Sequence, residues 1–300
     1  VSERQRVTLP RLAEMKEAGE PIVMVTAYDY PSACVAEEAG VDLVLVGDTA
    51  AMVVLGYPGT EQVSMDEMVM LGRAVRRGLR TPLMVGDMPM GSYEASNELA
   101  VQSAQRLVKE TGCQVVKLEA GGTSVERARA IVRAGIPVMG HVGLTPQTAT
   151  ALGGYKTQGK TAQGAIQLLE DALALQSVGC FAIVFEAVPA AIAEAIVEKL
   201  EIPAIGIGAG PATAGQVLVY HDLLGITTGR TAKFVKRYAE VHAAMVDGVG
   251  RYAEEVRSHR FPEPDHVYGV EPAELADFQR YLEQKEGVGS KQAWAWEPLP

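Results

Sequence analysis

No stretch of this 300-residue chain is apolar for long enough to cross a bilayer: its hydrophobic runs fall far short of the roughly 20 residues a spanning helix needs. The opening VSERQRVTLP has no apolar signal region, so the expectation is a cytoplasmic protein without a membrane partner. Cysteine is scarce and odd in number. Cys34, Cys113 and Cys180 are far apart and form no C-x-x-C, which excludes a disulfide framework or a thiolate metal cluster and leaves buried free thiols. Positive charge is short as well, 27 basic against 37 acidic residues for a net −10, so the concentrated positive field of a nucleic-acid surface is absent. An anionic small molecule would have to be met by a few placed Lys or Arg side chains or by a metal ion. No Pro/Ser-rich linker interrupts the chain before about residue 257. No G-x-G-x-x-G follows an early strand; the similar string at 206–210, GIGAG, is late and badly spaced, which counts against a dinucleotide-binding sheet.

What the chain does have is one sentence repeated. VDLVLVGDT at 41–49, PLMVGDMP at 82–89, QVVKLEAG at 114–121, IPVMGHVG at 136–143, FAIVFEAVP at 181–189 and IPAIGIGAG at 202–210 are short apolar runs that stop at Asp, Lys with Glu, His, Glu or Gly. Runs apolar on both faces read as strands of a parallel sheet covered by helices on each side. With a first strand at 22–29 and an eighth at 223–229, LLGITTG, placed after a short helix near 215–220, the alternation predicts a single (β/α)8 TIM barrel. The segment 8–18, with Thr8 as cap and Pro10 in the first turn, predicts an N-terminal helix that plugs or flanks it. The barrel domain is expected over 1–260. Residues 261–300, richer in Pro and Gly, form a C-terminal extension that packs on the barrel or on a neighbouring subunit, with one amphipathic helix carrying Leu275, Phe278 and Leu282.

Active sites of such barrels lie at the C-terminal ends of the strands, so Asp48, Asp87, Lys117, Glu119, His141 and Glu186 are expected to face one pocket. An Asp at a strand end often only caps the next helix, and a lone His is more often a hydrogen-bonded core residue than a ligand. The conjunction is what counts: acids on three consecutive strands set hard oxygen ligands side by side, the chemistry magnesium selects. Lys117 and Glu119 share a strand face, where Lys117 can meet a substrate carboxylate; a plain Lys–Glu ion pair is the alternative. Glu186, flanked by FAIVF and AVP, is expected in an apolar collar that suits a general base, with a structural Glu as the alternative. The Gly/Thr/Gln-rich stretch after His141, 143–161, reads as a mobile cover.

The strings TAYDYPSA at 26–33, LVGDT at 45–49, LGYPGTEQVSMDEM at 55–68, GDMPMGSY at 86–93, VVKLEAG at 115–121, GHVGLTPQ at 140–147, LGGYKTQGK at 152–160, FEAVP at 185–189, IPAIGIGAGPATAGQVLVYHDLLGI at 202–226 and AKFVKRYAEV at 232–241 resemble the ketopantoate hydroxymethyltransferases, in that family's order and over roughly residues 5–268. The resemblance implies transfer of a hydroxymethyl group from methylene-tetrahydrofolate, the co-substrate, to 3-methyl-2-oxobutanoate. The product is 2-dehydropantoate, the first committed step of pantothenate synthesis, reached through a magnesium-stabilised enolate. It implies Mg2+ on Asp48, Asp87 and Glu119, substrate binding by Asp48, Thr49, Asp87 and Lys117, Glu186 as catalytic base, and a homo-oligomer, a decamer in the family. Three positions depart from the family's usual residues: Thr49 for Ser, which keeps a hydroxyl, Met90 for Phe, and Lys160 for Arg.

Three other readings remain open to the residues. A magnesium-dependent carbon-carbon lyase or mutase of the phosphoenolpyruvate mutase and isocitrate lyase type would want a reactive Cys or another acid set on the mobile loop, and 142–161 holds no Cys. A phosphosugar-binding barrel would use the glycines at 207–210 and Thr228-Gly229. A scaffold without activity would have lost the acids, all of which are present.

Overall fold

Apolar runs with side chains alternating between two faces become β1 (Ile22–Thr26), β2 (Leu43–Val46), β3 (Leu83–Asp87), β4 (Val115–Lys117), β5 (Val138–Gly143), β6 (Ala182–Glu186), β7 (Ala204–Ile207) and β8 (Gly215–Leu218). The computed structural model describes residues 4–120, 123–148, 154, 156–229 and 231–286. Each strand pairs in parallel with the next, and β8 returns to β1 in the register Ile22↔Gly215 through Val25↔Leu218, closing the barrel. The expected (β/α)8 architecture and its N-terminal helix are therefore the observed ones.

Period two divides the hydrophobic residues into two cores. Met24, Leu43, Leu45, Leu83, Val85, Val115, Met139, Val184, Ile205 and Val217 form one buried cluster inside the barrel, joined by Leu12 and Met15 of the helix Leu9–Ala18. That helix starts where the Thr8 side chain accepts from the Arg11 N–H and stops at Gly19 in the left-handed region, and it plugs the barrel. The neighbouring strand residues Val25, Val44, Val46, Met84, Val116, Ile183 and Phe185 face outward and cluster with helix residues such as Met68, Val75, Ala104, Leu107 and Ile131. The surrounding helices carry their own start signals: capping boxes at Asp29/Ser32 and Ser64/Glu67, and side-chain caps from Ser96 and Thr161.

The eighth strand is GQVL at 215–218, not LLGITTG, and residues 220–223 are a short helix. The Gly and Pro of 208–214 mark a short link without a helix, so β8 begins where the periodicity suggested a helix. Gly215 is what admits the strand: a Cβ there would lie 2.3 Å from the Ile22 carbonyl oxygen.

The chain forms two compact units, Val1–His242, which contains all eight strands, and Ala243–Pro300, which contains most of the helix Val241–Arg257 and the helix Pro272–Glu286. Trp294 and Trp296, and part of the stretch read as a mobile cover (149–153 and 155), lie outside the described residues. No described helix is long and apolar enough to cross a membrane. Because the barrel closes before residue 219, deletion of 269–300 is expected to leave one cooperative unfolding transition in circular dichroism. A truncated chain that melted without cooperativity would place the extension in the barrel's core.

Candidate active site

Six of the eight strands end in a polar or ionisable group at one mouth of the barrel. Thr26, Asp48, Thr49, Asp87, Lys117, Glu119, His141 and Glu186 all line the same small cavity, floored by Leu45, Val184, Ile207 and Val217. A cavity of about 890 Å3 elsewhere, lined by Lys16, Glu20, Gly210 and Phe234 among others, is larger. Only the small one gathers buried ionisable groups, and it sits at the strand C-termini, where barrel chemistry is built.

The groups contact one another from strand to strand. The Asp48 N–H donates to Asp87 Oδ2 at 3.1 Å, and Lys117 Nζ stands 2.9 Å from Asp87 Oδ1. Lys117 Nζ is also 3.4 Å from His141 Nδ1, which lies 3.5 Å from Glu119 Oε1, and His141 Nε2 is 3.3 Å from Glu186 Oε2. Lys117 and Glu119 do face the same cavity, but the lysine's ion pair is with Asp87 of the neighbouring strand. Thr49 shares a 2.6 Å hydroxyl–hydroxyl hydrogen bond with the buried Tyr28.

Backbone geometry delivers the last of these groups. Gly143 pairs with Glu186, and a Cβ at Gly143, whose φ is 97°, would sit 2.2 Å from the Glu186 carbonyl oxygen. Only glycine lets the chain after β5 pass this close. The Leu144 N–H then donates to that same oxygen, and Ala187 turns into the left-handed region at φ 50°. The apolar collar expected around Glu186 is only a floor. Phe185 and Ile183 point outward to the helix layer, and the Glu186 side chain, 15% exposed, faces His141.

Burial and mutual repulsion set the protonation of the cluster. Burial, then the neighbouring Asp87 charge, pushes the Asp48 carboxyl up to about 7 against the pull of Lys117 and Gln147. Burial likewise raises Asp87 and Glu119, opposed by Lys117 and by His141 respectively. For His141, burial and the Lys117 ammonium push downward, but Glu119 and Glu186 on its two nitrogens prevail and lift it to about 9. Burial also disfavours the Lys117 ammonium, yet Asp87, Asp48 and Glu119 outweigh it and raise its pKa. The site thus sets four carboxyl groups against one lysine and one histidine, more acids than cationic partners. Among the described residues no three acidic, His or Cys side chains converge as a ready-made metal cage. Asp48 and Asp87 are the adjoining acids, while Glu119 is held by its neighbours.

Asp48, Thr49, Asp87, Lys117, Glu119 and Glu186, singled out from sequence, are therefore brought together, along with His141. Sequence reading missed Gln147, which is buried and hydrogen-bonded to Asp48 and Glu119, and Tyr28 and Tyr93. Their strings were noticed, but nothing local tells that these polar groups turn inward.

Residues 6–264 match the sequence profile of the family described as ketopantoate hydroxymethyltransferase. A 3-methyl-2-oxobutanoate hydroxymethyltransferase of Carboxydothermus hydrogenoformans is 53% identical over 267 residues, covering 89% of this chain and 97% of that one. The 3-methyl-2-oxobutanoate hydroxymethyltransferase 1, mitochondrial, of Arabidopsis thaliana is 49% identical over 287 residues, covering 93% and 83%. Among solved structures, a phosphonopyruvate hydrolase complexed with oxalate and Mg++ superposes with a TM-score of 0.56 at 13% identity, covering 93% of this chain and 98% of that one. The 2,3-dimethylmalate lyase of the PEP mutase/isocitrate lyase superfamily gives 0.53 at 16%, covering 94% and 98%. At such identities the likeness is one of fold.

Proposed function

The chain belongs to the ketopantoate hydroxymethyltransferase family, and from that premise we propose how its buried strand-end cluster transfers a hydroxymethyl group to 3-methyl-2-oxobutanoate. The observation that carries the reading is the run of contacts from Asp48 and Asp87 through Lys117 and His141 to Glu186, which supports a cation-binding role for its first end and a proton-accepting role for its last. The lyase and mutase alternative shares this fold, but identities near 50% over most of the chain tie the activity to the transferases.

Magnesium fits the residues present. More acids than cationic partners, two adjoining buried carboxyl groups raised by burial and repulsion, and a buried Glu119 Oε1 without a hydrogen bond make a hard-oxygen site suited to a divalent cation. Asp48 and Asp87 would hold the ion, with Glu119 reaching it through water, since magnesium commonly keeps several waters. When bound, a divalent cation draws electron density from the ketone oxygen of a 2-oxo acid and makes the adjacent carbon more acidic.

The chain's own groups do the rest. Lys117, with the Thr49 hydroxyl fixed by Tyr28, takes the substrate carboxylate and orients it. Glu186 removes the proton from C3, and His141, protonated between Glu119 and Glu186, steadies the base's carboxylate. Water releases the one-carbon unit of methylene-tetrahydrofolate, the proposed co-substrate, as formaldehyde, both C–N bonds breaking to leave tetrahydrofolate. The C3 carbon adds to it, and the new alkoxide takes back the proton held by Glu186 to give the hydroxymethyl group. A homo-oligomer is part of the same reading: the helix Val241–Arg257 exposes Met245, Val246, Val249 and Tyr252, an apolar face suited to a subunit contact. So is work in the cytoplasm, although the Arabidopsis relative is named as mitochondrial.

Removal of divalent metal by a chelator is expected to abolish magnesium-supported exchange of the C3 proton of 3-methyl-2-oxobutanoate with solvent deuterium, and readdition of magnesium to restore it. Full exchange by Asp87→Ala after exhaustive chelation would end the metal assignment.

A further inference from the structure

One buried side chain has no part in the reading above, yet touches more of the site's framework than any acid in it. Gln147 sits in the short turn Pro146–Thr148, which the Thr145 and Thr148 hydroxyls clasp at 2.6 Å. Its backbone N–H donates to Glu119 Oε2 at 3.1 Å. Its Nε2 donates to Asp48 Oδ2 at 2.8 Å and to the Met88 carbonyl at 3.0 Å, and its Oε1 accepts from Tyr93 Oη at 2.7 Å. Those partners follow β2, β3 and β4, so one residue of the loop after β5 ties four strand ends together. The orientation of the amide is fixed by chemistry, because a backbone carbonyl and a carboxylate both demand the NH2 end.

We propose that Gln147 is the positioning residue of the acid cluster: its side chain engages one oxygen of Asp48 and its backbone N–H one of Glu119, so that the second oxygen of Asp48 is presented to a ligand, and that of Glu119 to His141, at a fixed angle. The role rests on the metal and 2-oxo acid reading of this site. Both acids are buried among like groups; without the side-chain hydrogen bond Asp48 would turn toward Lys117, whereas Glu119, bonded by the Gln147 backbone, already faces His141 with its other oxygen. Glu186, bonded to neither end of Gln147, keeps its place through Gly143 and Leu144.

The test uses the full chain with Gln147→Met, which keeps volume and removes the side-chain hydrogen bonds, and Tyr93→Phe, which removes only the hydroxyl that steers Oε1. Mn2+ binding is titrated by electron paramagnetic resonance without substrate, 3-methyl-2-oxobutanoate affinity by calorimetry, and the C3 exchange rate at saturation by NMR, each beside a thermal melt. Gln147→Met is expected to weaken Mn2+ and 2-oxo acid binding by roughly tenfold to a hundredfold, the effect of losing a hydrogen bond to a charged group. At saturation, exchange should return to within about threefold of wild type, because affinity and base are separable. Tyr93→Phe should shift the same constants in the same direction by less, and it carries the test if Gln147→Met does not fold. Unchanged 2-oxo acid affinity in the folded variants overturns the positioning role, whether or not the wild type binds Mn2+. Failure of the wild type to bind Mn2+ overturns the metal reading alone.

Discussion

Glu186→Gln is expected to slow exchange of the C3 proton of 3-methyl-2-oxobutanoate by roughly 100-fold to 10,000-fold, the usual effect of removing a general base. Fold and ligand binding should survive, because the amide keeps the carboxylate's volume and can still meet His141. The backbone at this point is held independently of the side chain: the Glu186 carbonyl accepts from Leu144, and the residue pairs with Gly143 on one side and Ile207 on the other. What the substitution removes is the ability to accept a proton beside a histidine that is already protonated. NMR of deuterium incorporation, with magnesium and without folate, isolates this step from transfer. Wild-type exchange in the variant would show that Glu186 is not the base.

The second large effect belongs to Lys117. Its ammonium and the Asp87 carboxylate are almost wholly enclosed, at 5% and 1% side-chain exposure, so neither can turn to water if the other is removed. Deleting one partner of such a pair costs roughly 3–5 kcal/mol because a buried charge is left uncompensated. Lys117→Met should therefore lower the unfolding free energy of the metal-free protein by an amount of that order, read as a fall in its urea midpoint. It should also weaken 2-oxo acid binding, since the same ammonium is the proposed partner of the substrate carboxylate. Combining it with Asp87→Asn should recover much of the stability, both charges now being absent, and none of the turnover. A Lys117→Met protein with the wild-type midpoint would show that the pair is not formed in solution.

Much of this protein is determined by local sequence, and the reason is periodicity. Runs such as VDLVLV and QVVKLEAG alternate between a barrel interior and a helix layer, so the parity that buries Leu43, Leu45, Val115 and Val85 also sends Asp87, Lys117 and Glu119 toward one mouth. The collection of reactive groups at the strand ends follows from that parity, the glycine stops and the parallel order of the strands. Two errors of sequence reading share an opposite cause. GQVL is too short and too close to Gly and Pro to declare itself a strand, and it becomes β8 because β7 and β1 each offer it an unpaired edge. LLGITTG, more strand-like by composition, has no such edge.

Partner choice lies wholly in the tertiary structure. Lys117 is two residues from Glu119 but bonds Asp87, because parallel pairing sets Asp87 and Lys117 opposite each other in register. Gln147 reaches Asp48 across 99 positions of sequence, and the carboxylates that raise the proton affinity of His141 come from two other strands. Sequence determined which chemical groups this barrel gathers at its mouth. Closure of the barrel decided which of them touch, and so which are charged, since hydrogen bonds and Coulomb forces act through space and a low-dielectric interior magnifies those that burial brings within reach.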